Sequence, residues 1–348
     1  MCTASIRLFV SILSLLVTFA PAWAADPVDA TTAPSTTSST DRAQLNAQAA
    51  EILKSLAGES AFAFTHLQDG RPTLVIGVHP DKRLAVGSTF KLFILGTLID
   101  EVNLGRRRAE NIMLLSRELE GPPSSELATW PTGSPVTLHT LALKMISISD
   151  NTATDHLLYL LGRERIEEQM ATMGHGDPAV NRPLLSTREM TMLRDKKQGM
   201  PGNKYREQND AGRREMLATL DAGVPDYDQL DFDTAAYQVA EWYASPLDMA
   251  AALGWIEAHT RADQPAHDLR AILTVETKLP HDPAVWPFVG FKGGSEDQIL
   301  AGNWLLQHRN GEWYTLHLYW NNPGGAANPE QLIAVLSKVL ALAEATIR

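Results

Sequence analysis

The spacing of apolar and polar positions along this 348-residue chain changes several times, and each change marks an element. Leu45, Ala49, Ile52 and Leu53 recur at helical spacing behind Asp41, whose carboxylate can cap a helix start. Residues 60–66 and 73–78 read as strands, and Gln68-Asp69-Gly70-Arg71-Pro72 between them reads as a hairpin turn. Over 90–99 the chain is apolar on almost every face, the mark of a helix buried inside a domain. Gly105 ends that helix. Helical spacing then dominates from 106 to 281, interrupted by a Gly/Pro/Ser-rich stretch at 121–135 and a charged one at 194–214. Strand patterns return at 285–292, 299–307 and 313–320, with Arg309-Asn310-Gly311 as a turn, and an amphipathic helix over 329–347 closes the chain. Strands at both ends and helices between them predict an α+β fold. Its sheet is built from distant parts of the chain, 41–105 and 282–348, beside a mostly helical insert over 106–281.

The first 40 residues follow other rules. Arg7, an apolar run over 8–19 and Ala22-Trp23-Ala24 have the order of a secretory leader with a small-x-small cleavage site, spanning 1–24. The run is shorter than the roughly 20 residues that a membrane-spanning helix needs. Export to a periplasm or the medium, without stable membrane insertion of the mature chain, is the expectation. Residues 25–40 are Thr/Ser/Pro/Ala-rich and bury too little apolar area to offset ordering their backbone, so they read as a disordered tether. The only cysteine, Cys2, lies in the leader. Cleavage there leaves a chain without thiols, which excludes disulfides and cysteine catalysis.

Charge narrows the partners. With 41 acidic against 30 basic residues the formal charge is -11, the wrong sign for broad nucleic-acid or anionic-membrane binding. A small-molecule substrate and a monomer fit better. The ten histidines include no helical His-x-x-x-His pair and His175-Gly176-Asp177 reads as a turn, so neither a metal nor another cofactor is expected.

Three short elements carry the candidate chemistry. Ser88-Thr89-Phe90-Lys91 places a hydroxyl and an amine on one helical face at the head of the buried helix. A serine hydroxyl needs a base within reach. Burial and the positive end of a helix dipole both disfavour an ammonium, so Lys91 is suited to accept the proton. Taken alone, Ser88 could equally cap the helix while Lys91 reaches solvent. Ser149-Asp150-Asn151 precedes an apolar helix starting at Thr152. Ser149 could pass a proton toward a leaving group and Asn151 could hold a substrate amide, while Thr152 and Asp155 could form a capping box. Lys292-Gly293-Gly294-Ser295 ends a strand whose bare backbone admits a ligand or a close neighbour. There Lys292 offers charge, and the Ser295 and Ser88 amides can together form an oxyanion hole.

In this order the three elements resemble the serine β-lactamase and penicillin-binding-protein superfamily, closest to class A β-lactamases, over a domain at 41–348. The stretch Val136-Thr137-Leu138 to Thr152-Ala153 is similar to class A sequences as well. The resemblance implies a β-lactamase/transpeptidase-like fold, with an antiparallel sheet flanked by helices. It also implies acylation of Ser88, proton acceptance by Lys91 and relay by Ser149. Asn151, Gly294 and Ser295 would bind substrate, and Lys292 would bind its carboxylate.

Two departures follow. Gly293 stands where the family's third motif has a hydroxyl, which Ser295 could restore from a neighbouring position. The Glu-x-x-Leu-Asn segment, whose glutamate activates the hydrolytic water, is absent. Glu189 is the nearest acid, but Ser186-Thr187-Arg188-Glu189 is itself a capping-box pattern. The expected reaction is hydrolysis of a β-lactam amide or a related ester through a Ser88 acyl-enzyme. A D,D-peptidase or esterase of the same fold, and a β-lactam or peptidoglycan sensor without turnover, are the alternatives. Trp242, Tyr243 and Pro246 read as core and cap, and 196–214 as a solvated face.

Overall fold

Strands from the two ends of the chain meet in one sheet. The computed structural model describes residues 39–347, except 123–124, 221–225, 232 and 234–235. The leader and tether lie outside the described residues, except that the first helix begins at Ser39. The five strands are β1 (Glu59–Gln68), β2 (Arg71–Val78), β3 (Phe288–Glu296), β4 (Ile299–Gln307) and β5 (Trp313–Asn321). They are antiparallel in the order β2-β1-β5-β4-β3, which leaves β3 at an edge.

Alternation along the strands sends side chains to two cores. Phe62, Phe64, Leu316, Leu318 and Trp320 face α1 (Ser39–Leu53) and α10 (Pro329–Glu344), where Ala49, Leu53, Val335, Leu336 and Val339 are buried. Ala61, Leu305 and Tyr319 face the second core, centred on α2 (Lys91–Asn103). Leu92, Phe93, Ile94, Leu95, Leu98 and Ile99 are all buried there, as an all-round apolar helix requires.

Around α2 stand α3 (Leu138–Ser147), α4 (Asn151–Leu161), α5 (Arg163–Thr172) and the shorter α6 (Thr187–Leu193), α7 (Gly202–Glu207) and α8 (Asp210–Leu220). Helix α9 (Pro246–His259) comes from the middle of the chain yet packs on β1, β2 and β5. The stretch 106–281 therefore also supplies one layer of the sheet domain, which a division at its two ends does not separate. Among the described residues no helix is long and apolar enough to cross a membrane.

Two expectations need correction. The edge strand starts at Phe288, because the Val285 and Trp286 amides are held in a turn by the Asp282 carbonyl, both at 2.9 Å. The charged stretch at 194–214 is not a break in helical structure, although 196–214 is mostly exposed as read. It holds α7 and the start of α8, and Arg194 at its head is fully buried, paired with Glu241 at 2.8 Å and with Glu296. Those partners lie 47 and 102 residues away in sequence, so local charge density could not reveal them.

Candidate active site

Ser88 sits in a 3-10 turn, Gly87–Phe90, that runs into α2 at Lys91. Neither helix start carries a side-chain cap, so Ser88 is not used as one. The i, i+3 spacing puts Ser88 and Lys91 on one face where the turn runs into α2. Ser88 is half-buried and Lys91 has no exposed surface. The turn is fixed from behind by Phe90, which stacks on Trp242 with ring centroids 3.9 Å apart and a 7° tilt. Trp242 in turn donates its indole N–H to the Leu185 carbonyl at 3.0 Å, and its own carbonyl accepts from the Val86 amide at 3.0 Å. Trp242 is thus structural, and Ser245 with Asp248 forms a capping box on α9 with Pro246 behind it.

The Lys91 ammonium gathers the second element. Its Nζ donates to the Ser149 carbonyl (2.7 Å), the Ser149 Oγ (3.1 Å) and the Asn151 Oδ1 (2.9 Å). Ser149 reaches it because the bend between α3 and α4 puts this residue at φ +61°, in the left-handed region that costs a non-glycine residue energy. Asp150 anchors the bend: one carboxylate oxygen caps α4 at the Ala153 amide (2.8 Å) and the other accepts from the Leu127 amide (2.9 Å). The proposed Thr152–Asp155 capping box does not form, because Asp150 does its work. Burial pushes the Lys91 pKa down to about 7, opposed by the charges of Asp155 and Asp150.

Edge strand β3 supplies the third element. The Lys292 Nζ donates to the Ser149 Oγ at 3.1 Å and to the Gly293 carbonyl at 2.7 Å. Ser149 is therefore bracketed by two lysines. Burial drives the Lys292 pKa well below the usual lysine value, and the positive charge of Lys91 adds to the shift. Gly294 and Gly87 let β3 and the Ser88 turn touch: a Cβ on Gly294 would lie 2.8 Å from the Ser88 amide nitrogen, and one on Gly87 would lie 3.3 Å from the Ser295 amide nitrogen. The two amides read as an oxyanion hole thus lie on adjoining segments. Ser88, Lys91, Ser149, Asn151, Lys292, Gly294 and Ser295 all converge. Among the described residues no three His, Cys, Asp or Glu side chains are grouped to hold a metal ion.

The profile of the beta-lactamase enzyme family matches residues 44–268. The chain belongs to this family. Its fold is shared with the class A ancestral (GNCA) beta-lactamase, at 19% identity and a TM-score of 0.62, covering 87% of this chain and all of that one. A beta-lactamase from Chitinophaga pinensis DSM 2588 is similar at 16% identity and a TM-score of 0.61, again covering 87% and 100%. A mutant of PBP-A, in an acyl-enzyme complex with penicillin G, is similar at 17% identity and 0.58, covering 88% and 97%. No curated protein sequence matches.

Glu189 is the one candidate residue of this beta-lactamase-family chain that the fold commits elsewhere. Its carboxylate accepts from the Ser186 amide (2.7 Å) in a complete capping box and forms a two-pronged pair with Arg163 (2.6 and 3.0 Å). It is fully buried.

Of the two acids whose charges act on Lys91, Asp155 has the larger effect, ahead of Asp150, and it lies one turn beyond Asn151 on α4. Its two oxygens accept from the Thr187 and Arg188 amides at 2.8 and 3.0 Å, tying the start of α6 to the site. Burial raises its pKa to about 7, although those two amides pull the other way. The i, i+4 spacing from Asn151 was visible in the sequence; the partner amides were not.

A second missed feature is a row of polar side chains across the sheet, Lys292–Asn303–His317, in direct cross-strand register. Asn303 donates to the Lys292 carbonyl (3.3 Å) and its Oδ1 accepts from Tyr319 (2.6 Å) and His317 Nδ1 (2.7 Å). That assigns His317 the Nδ1–H tautomer, with Nε2 accepting from Thr315 at 2.8 Å. Burial lowers the His317 pKa to about 3, so the imidazole is neutral.

Proposed function

We propose that the chain is an exported serine hydrolase that opens a β-lactam amide, or a related ester, through a Ser88 acyl-enzyme. The observation that carries this reading is the convergence of Lys91 and Lys292 on Ser149 Oγ, both at 3.1 Å. Lys91, neutral in about half of the molecules at pH 7, takes the Ser88 proton as Oγ attacks the carbonyl carbon. The Ser88 and Ser295 amides stabilise the oxyanion. Ser149 then delivers a proton to the leaving nitrogen or oxygen, and the carbonyl–leaving-group bond breaks. The penicillin G acyl-enzyme of the PBP-A relative supports acylation by the same class of compound.

Deacylation is the slow step in this reading, because Glu189 is held by Arg163 and by its own helix cap. The test is intact-protein mass spectrometry with a chromogenic cephalosporin, for the mature chain and for Ser88→Ala. A Ser88 adduct that outlasts the release of the first equivalent of product is expected. If the mature chain gives neither adduct nor product, or if Ser88→Ala gives equal product, the reading is overturned.

A further inference from the structure

A cleft of about 820 Å³ opens from the candidate site around the outer edge of β3. Ser149 and Lys292 line it together with Phe291, Trp304, Leu279, Leu332, Ile333 and Leu336. Its floor follows from the strand register. Gly293 and Gly302 are directly opposite each other on β3 and β4. A Cβ on Gly293 would lie 2.6 Å from the Phe291 ring, and one on Gly302 would lie 2.2 Å from the Trp304 ring. The two rings therefore lie over the two glycines, and they stack on each other with centroids 5.1 Å apart. Trp304 is fixed by its indole N–H, which donates to the Thr277 carbonyl at 2.8 Å. At the rim, Glu276 and Lys278 neutralise each other at 2.7 Å. Ile333 on α10 is 47% exposed.

We infer that this cleft receives an uncharged, apolar leaving-group arm of the substrate. The inference rests on the Ser88 reading above. Ser149, the group placed to protonate the leaving atom, lines the same cavity, so the departing part of the substrate is the part that faces it. The loss of a hydroxyl at Gly293 then has a positive reason: the position that could bond a carboxylate has been given to an aromatic floor. The favoured substrate is an ester or amide whose leaving group carries an extended alkyl or aryl chain.

The experiment uses para-methyl, para-butyl and para-hexyl phenyl acetates, which share one acyl group and nearly one phenol acidity. Acetylation of Ser88 is followed by intact mass, and kcat/KM by phenol release. As Ser88 Oγ bonds the acetyl carbon, the carbon–phenoxide bond breaks and the serine proton passes through Lys91 and Ser149 to the departing phenoxide oxygen, which leaves as the phenol. If the cleft takes the alkyl chain, kcat/KM rises about fourfold for each added methylene until the cleft is filled. Ile333→Glu, which places a charge in the cleft wall, should flatten the series, read as the ratio of kcat/KM for the hexyl ester to that for the methyl ester within each protein. A Ser88 acetyl adduct with no dependence on chain length in the parent protein overturns the cleft and leaves the Ser88 reading intact. A series unchanged by Ile333→Glu, or a preference for longer acyl chains instead, also overturns it. If no ester gives either an adduct or Ser88-dependent phenol release, the cleft is overturned and esters are removed from the Ser88 reading, which the cephalosporin experiment decides separately.

Discussion

Asp155→Asn is the substitution that most directly examines how Lys91 is set. In the parent protein a buried carboxyl with a pKa of about 7 acts on a buried amine with a pKa of about 7. As pH falls through 7, protonating Asp155 removes an attraction that holds the proton on Lys91, so the two titrations oppose each other and the acid limb is broad. The substitution removes the negative charge permanently. The Lys91 pKa, already depressed by burial, should drop by about one unit further, as loss of a nearby opposite charge does. At pH 7 the neutral fraction then rises from about a half to about nine-tenths, an approximately twofold faster acylation, and the two proteins converge above about pH 8. The limb of the variant should be a simple one-proton curve with its midpoint below that of the parent.

A structural cost accompanies this. The single amide oxygen introduced by Asp155→Asn can serve only one of the Thr187 and Arg188 amides that the two carboxylate oxygens now share, a loss of about 1–3 kcal/mol. The assay is the first-turnover acylation rate of Ser88 from pH 5 to 9, normalised to folded protein by near-UV circular dichroism. Superimposable acid limbs for the two proteins would refute the assignment of Lys91 as the proton acceptor tuned by Asp155.

Other outcomes follow from the same geometry. Glu189→Gln leaves Arg163 without its buried partner and should cost about 3 kcal/mol in urea unfolding. Deacylation per folded molecule should stay within a few-fold, and a hundredfold fall would instead make Glu189 the water activator. His317 is neutral in the fold at any pH above about 3, whereas its unfolded pKa is near 6.5. The unfolded chain therefore binds the extra proton as pH falls, so stability is full above about 6.5 and declines toward 3, by about 3 kcal/mol at pH 4. Denaturant titrations at pH 7 and 4 should show that slope, and His317→Gln should flatten it. Gly293→Ser should lower the melting temperature and not raise activity, because the new Cβ meets the Phe291 ring; pairing it with Phe291→Leu should restore the melting temperature.

Elements with a strong local signature were legible without coordinates. The hairpin at Asp69-Gly70, the all-round apolar helix behind Ser88 and the three closing strands stand close to where their spacing placed them. The Ser88, Ser149 and Lys292 elements could be named because each combines a reactive side chain with a turn or strand end in a fixed order. Asp155 was visible only as a helix-cap residue, since what gives it weight is a pair of amides 32 and 33 residues away. The Lys292–Asn303–His317 row needs the register of three strands.

The sequence by itself determined the class of fold, the order of its elements and the residue types at the site, because hydrophobic period, turn chemistry and helix signals are local properties of the chain. Only the tertiary structure decided the charge states and the commitments of those residues. Burial lowers Lys91 to about 7 and takes Lys292 well below the usual lysine value. An arginine 26 positions away takes up Glu189, and two opposed glycines clear the way for the Phe291 and Trp304 rings. Desolvation and pairing depend on what surrounds a group in space, and that surrounding is assembled from segments that are remote from one another in the chain.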